Sequence, residues 1–141
     1  MTGDTTSQRP WKDASAPSLA DIEALAAEAF AALPEHFRQL CTDLVIRVED
    51  FASDEVLDAM GLQSEFDLLG LFQGVGLPFQ APSAPTAMPN MVWLYRRPIL
   101  DYWAEHEETL GDIVTHVLVH EIGHHFGLSD DDIAEIEASA D

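Results

Sequence analysis

Residues 120–130 read HEIGHHFGLSD, and this stretch limits the fold more than any other part of the chain. An α-helix turns about 100° per residue, so His120 and His124 stand about 40° apart and one turn along, on one face. Two imidazoles placed so can point at a single ion. Leu110, Val114, Leu118 and Ile122 form a second stripe roughly half a turn away. That stripe needs an apolar surface such as a sheet, while the histidines need a cleft. Any fold of this chain must bury one side of the helix and leave the other within reach of solvent.

The neighbouring residues sharpen the chemistry. Glu121 is displaced about 100° from His120, beside a metal and not on it. There its carboxylate can take a proton from a water that the metal holds and pass it to a leaving amine. Gly127 lets the chain turn sharply, because glycine accepts the left-handed conformation that ends a helix. The turn brings Asp130 round as an oxygen ligand after His120 and His124. Three protein ligands with one position left for water is the arrangement of catalytic zinc. A bare HExxH arises by chance in charged amphipathic helices; the added Gly and Asp each cut chance matches roughly tenfold.

Asp130 has a second use. Ser129-Asp130-Asp131-Asp132 also forms an N-terminal cap with acids in the first turn. Were Asp130 confined to that cap, Asp131 or Glu135 would become the third ligand. His116, one turn before His120, belongs to the cleft wall, since a fourth ligand would close the site. His125 is assigned a structural role, and His36 and His106 the surface.

The rest of the chain supplies the sheet and the other helices. Ser18 and Asp21 open a helix with Ile22, Leu25, Ala26, Ala29 and Phe30 at helical spacing, ended by Pro34. EHFRQLCTD follows as a turn or short helix. Over 44–50, Val45, Arg47 and Glu49 alternate with Ile46 and Val48, a half-buried strand. Ser53 caps a short helix that Gly61 stops. The apolar, glycine-bearing 66–76 predicts a strand with a bulge or a close backbone approach. Residues 77–90 carry four prolines and form a loop. The aromatic and branched 91–97 is the best strand, and Pro98 opens a helix after it. The next helix runs from about 107 to 126, and a last one begins near Ser129. Trp93 and Trp103 are expected in the core. Residues 1–17 are a loose lead-in and 18–141 one domain; without βαβ alternation the class is α+β.

Charge narrows the partners. The chain has 141 residues with 6 basic and 26 acidic, a net charge of −20, and no Lys or Arg after Arg97. Such a surface repels nucleic acid and anionic membranes and favours cations and basic peptides. No run approaches the roughly 20 apolar residues that span a membrane, and MTGDTTSQRPWKD lacks the apolar core of a signal peptide. Cys41 is the single cysteine, so no intrachain disulfide forms. It is expected as a buried small residue in a cytoplasmic protein.

HEIGHHFGLSDDDI, with LLGLFQGVGLP and VWLYRRPIL upstream, resembles the small bacterial zincin-like metallopeptidases of minimal zincin fold, over residues 44–133. The resemblance implies an α+β domain whose small sheet packs on the HExxH helix. It implies zinc (Zn2+) held by His120, His124 and Asp130, with Glu121 as general base. The chain departs from larger zincins in having eleven residues after Asp130 and no methionine turn. The expected activity is zinc-dependent hydrolysis of peptide bonds through a metal-bound water activated by Glu121. Its substrate would be a basic or extended peptide, added as a strand along an edge at 91–96. The alternative is a metal-binding interaction module with latent or vestigial peptidase chemistry, which would not need Glu121. An acidic mimic of nucleic acid accounts for the charge and leaves the histidine spacing unexplained.

Overall fold

Helix α1, Leu19–Ala31, starts where the Ser18 hydroxyl accepts from the Asp21 N–H and the Asp21 carboxylate accepts in return from the Ser18 N–H. Two donors that the helix itself cannot satisfy are thereby paired. The computed structural model describes residues 11–41, 43–73 and 90–139. After α1 comes a short helix α2, Glu35–Arg38, continued as a 3-10 turn to Cys41. Helix α3, Asp54–Met60, is capped by the Ser53 hydroxyl and ended by Gly61 at φ 72.

Strands β1 (Val45–Glu49), β2 (Gly70–Gln73) and β3 (Met91–Tyr95) form one mixed sheet in the order β1-β3-β2. The β1–β3 pair is parallel, with Val45 opposite Met91, and the β2–β3 pair is antiparallel, with Gly70 opposite Leu94. This corrects the expectation that 91–96 is an edge. Its branched and aromatic residues suit the most enclosed strand, and β3 has a neighbour on both sides. Among the described residues β2 pairs with β3 alone. Within 66–76, a 3-10 turn at Glu65–Asp67 precedes β2. Residues 74–76, like nearly all of the proline-rich segment, lie outside the described residues.

Helix α4, Arg96–Glu105, follows β3 without a loop. Pro98 therefore falls inside the first turn, where its missing N–H leaves no bond unmade. Helix α5, Leu110–His125, begins later than the pattern predicted, because the Thr109 hydroxyl caps it by accepting from the Asp112 N–H at 3.1 Å. Helix α6, Asp130–Ser139, closes the chain.

Alternation along β3 sorts the two faces of the sheet. Val92 and Leu94 are fully buried in the main core with Ile22 and Ala26 of α1 and Val114, Leu118 and Ile122 of α5. Trp93 and Tyr95 face the other way, onto a smaller cluster with Ala52, Leu57 and Leu68. The sheet thus lies between α1 and α5 on one side and α3 on the other, an α+β arrangement. Trp103 departs from expectation, being 37% exposed; α4 turns it outward while burying Ile99. Cys41 is buried as expected. Among the described residues no helix is long and apolar enough to cross a membrane.

Strand β2 meets α5 closely at one point. A Cβ on Gly70 would stand 2.6 Å from Val117 Cγ1 and 3.2 Å from the Trp93 carbonyl oxygen. Gly70→Ala should destabilise the fold by about 1–3 kcal/mol through overpacking. In a double-mutant cycle Val117→Ala should relieve part of that cost, since it removes the opposing methyl. Strict additivity in urea denaturation would show that the two positions do not meet.

Two buried acids predict alkaline weakening. Burial, then Asp43, raises the Cys41 thiol from 9.0 to about 11. Burial, then Glu49 and Glu121, raises the Tyr95 phenol from 10.0 to about 12. The unfolded chain releases these protons first, so their contribution is intact below about pH 9 and is lost as pH climbs through the folded values. Denaturation midpoints should fall between pH 9 and 12, and a flat profile there would contradict both shifts.

Candidate functional site

Helix α5 carries the site because its buried side fixes what faces outward. Val114, Leu118 and Ile122 are fully buried, and each such side chain is worth about 1.5–3 kcal/mol. Rotating the helix would exchange them for histidines. With the rotation set, His116, His120 and His124 follow one another along one flank. The His116 and His120 rings lie 5.4 Å apart and roughly parallel, and the His120 and His124 rings 4.3 Å apart at 86°. Burial first, then the charges of His124 and His116, lower the pKa of His120, against the opposite pull of Asp130 and Glu137.

The end of α5 is a tight reversal. The Leu128 N–H donates to the Gly123 carbonyl at 2.9 Å and the Gly127 N–H to the His124 carbonyl at 3.1 Å. Gly127 takes φ 79, as a Schellman turn requires. Gly123 serves another purpose, since a Cβ there would lie 2.7 Å from Ile133 Cγ1. Its bare backbone lets α6 pack directly against α5.

The reversal shows how α6 is capped, with Asp130 among the acids of its first turn. The Ser129 hydroxyl accepts from the Asp132 N–H at 3.1 Å, and the Asp132 carboxylate accepts from the Ser129 N–H at 3.3 Å. Ser129 and Asp132 are the reciprocal capping pair, so the cap does not occupy the Asp130 carboxylate. Asp130 Oδ1 stands instead 3.4 Å from His124 Nε2.

Glu121 lies on the flank toward β2. It lines a cavity of about 290 Å³ together with His116, His120, Gly70 and Tyr102. Burial raises its carboxyl from 4.5 to about 7, because an ion there has lost much of its water. Glu137 is a neighbour that sequence reasoning missed. His116 Nδ1 donates to both of its carboxylate oxygens at 3.0 Å, tying α5 to α6. No spacing rule links residues on two separate helices, so the sequence carried no signal for it. His125 stacks on Phe72 at 3.9 Å, against the sheet and away from the other histidines. His36 and His106 are exposed. Tyr102 and His116 line the cavity with Glu121, whereas Tyr95 is buried and lines none of it.

Two imidazoles and a carboxylate gathered at one helix end are donors that zinc accepts. Here they are gathered by pairs: His120 with His124, and His124 with Asp130. Among the described residues no group of three or more His, Cys, Asp or Glu side chains is closed into a set that could hold a metal ion. The donor chemistry fits zinc.

The chain matches the family of zincin-like metallopeptidases over residues 41–140, a span that begins at Cys41 and takes in the whole sheet, α5 and the Asp130 turn. No curated protein matches it.

Gly127→Ala should cost about 1–2 kcal/mol, the penalty for a side chain in the left-handed region. No atom lies within 4 Å of the added Cβ, so sterics beyond the backbone contribute nothing. Gly127→Asn should cost less. Equal losses for Ala and Asn in thermal unfolding would count against this origin.

Proposed function

The chain belongs to the zincin-like metallopeptidase family, and on that premise we propose that it is a zinc-dependent peptidase with Glu121 as its general base. The ligands in this reading are His120, His124 and Asp130. The supporting observation is that the Ser129–Asp132 cap leaves the Asp130 carboxylate beside His124, next to the cavity that His120 and Glu121 line.

Zinc, when bound, supplies Lewis acidity that polarises a peptide carbonyl and lowers the pKa of water. Glu121 takes the proton of the attacking water and returns it to the departing amine. The substrate adds as a strand to β2, which among the described residues is the edge beside α5. Main-chain hydrogen bonds then hold it in place. Tyr102 and His116 stand on the cavity wall, His116 fixed by Glu137. Cytoplasmic residence belongs to the same reading, supported by the single thiol of Cys41.

Purified without added metal, the wild type should hold about one zinc per chain. His120→Ala and His124→Ala should lose it, and Asp130→Ala should retain it more weakly. Unchanged affinity in Asp130→Ala would move the third ligand to Asp131 or Glu135. Glu121→Gln should keep zinc and fold while cleavage of unfolded proteins and peptides drops about 10²–10⁴-fold. Activity that survives this change would sink the role given to Glu121. Full zinc with no substrate cut by the wild type would favour the metal-binding interaction module.

A further inference from the structure

We propose that the cavity beside His120 and Glu121 receives a lysine or arginine side chain of the substrate, at a residue next to the bond that is cut. This rests on the peptidase reading above, and extends it to the class of peptide.

The cavity of about 290 Å³ lies at the bottom of the size range of ligand pockets, room for one long side chain. Its lining is of two kinds. Leu68, Ile113 and Val117 line it as buried apolar residues, and Gly70 contributes no side chain. Asp67 and Glu108 line it as exposed carboxylates. The Tyr102 hydroxyl donates to Glu108 Oε2 at 3.4 Å, and the Tyr102 ring is itself stacked on His106 at 3.8 Å. Glu108 is therefore placed by a contact that exists before any peptide arrives.

Acidity alone would suit any cation. The apolar floor is what selects among them. A hydrated metal ion gains nothing from Leu68 and Val117, whereas a lysine or arginine lays its methylene stem along apolar surface and keeps its charge at the rim. Norleucine would fill the floor and leave the carboxylates unmet.

A second cavity of about 630 Å³ meets the first at His116 and Glu108, and its other charged lining residues are Glu28, Asp112 and Glu137. Among the described residues no lysine or arginine lines either cavity. Arg96 pairs with Asp50 at 3.0 Å, and Arg97 lies over the Phe51 ring at 5.4 Å. Among the described residues the lining of both cavities thus carries carboxylates and no Lys or Arg.

Fluorescently labelled peptides of one alanine–glycine host, carrying Lys, Arg, norleucine or Glu at a single position, test this against the Glu121→Gln chain by anisotropy. Lys and Arg peptides should bind about three- to tenfold tighter than norleucine, the range for two partly solvated charge pairs. Glu should bind weakest. The preference should shrink in high salt and vanish in Asp67→Asn/Glu108→Gln, with norleucine affinity unchanged. Norleucine binding as tightly as lysine, or a lysine preference that persists in the double variant, would overturn the proposal. Cleavage by the wild type without basic preference also overturns it while leaving the peptidase reading intact. A basic preference in binding with no peptide cut does the reverse, keeping the pocket and removing the peptidase.

Discussion

The packing of α5 against the sheet and α1 governs everything at the site. Val114, Leu118 and Ile122 have no exposed surface, and turning the helix by one residue, about 100°, would carry that stripe out of the core. The cost of several such burials is large beside the few kcal/mol that separate folded from unfolded chains. The helix therefore presents His116, His120 and His124 on one flank, and Glu121 falls toward β2. Desolvation follows from this placement: the same contacts that hold the helix take water from the Glu121 carboxyl and lift it to about 7.

Two glycines let the neighbours come close enough to wall the site. Gly70 brings β2 against Val117 and the base of Glu121, and Gly123 brings Ile133 of α6 against α5. In each contact a bare glycine backbone admits the side chains of the neighbouring element. The β2 contact forms the floor of the cavity. The α6 contact, with the turn at Gly127, sets Asp130 beside His124. The cleft is thus shaped by elements that approach as closely as a missing side chain allows.

Charge works at a different scale from packing. A net −20 opposes compaction through self-repulsion and contributes little to the choice of fold. Its distribution matters more. Arg96 meets Asp50 beyond the ends of β1 and β3, and among the described residues no Lys or Arg lines the cavities along α5. Sheet burial supplies the stability, and the charge left over is available to select what approaches.

Much of this was legible in the residues themselves. The capping pair Ser18–Asp21, the Ser53 cap with its Gly61 stop, the alternation of β1 and the rear stripe of α5 are local signals, carried by neighbours within one turn or one strand. The spacing of His120, Glu121 and His124 and the turn at Gly127 are local too, and they pointed to the family before any coordinates. Sheet order was not local. An edge strand and a central one have similar residues, and β3 took the centre because β1 and β2 pair with it from positions far apart in the chain. The start of α5 also escaped the pattern, since Thr109 outcompeted the acids before it as a cap. The union of His116 with Glu137, the place of Asp130 beside His124 and the cavity that Asp67 and Glu108 line depend on how separate elements dock. Helical periodicity determines which residues share a face; the face each one meets is decided by the burial of the whole core.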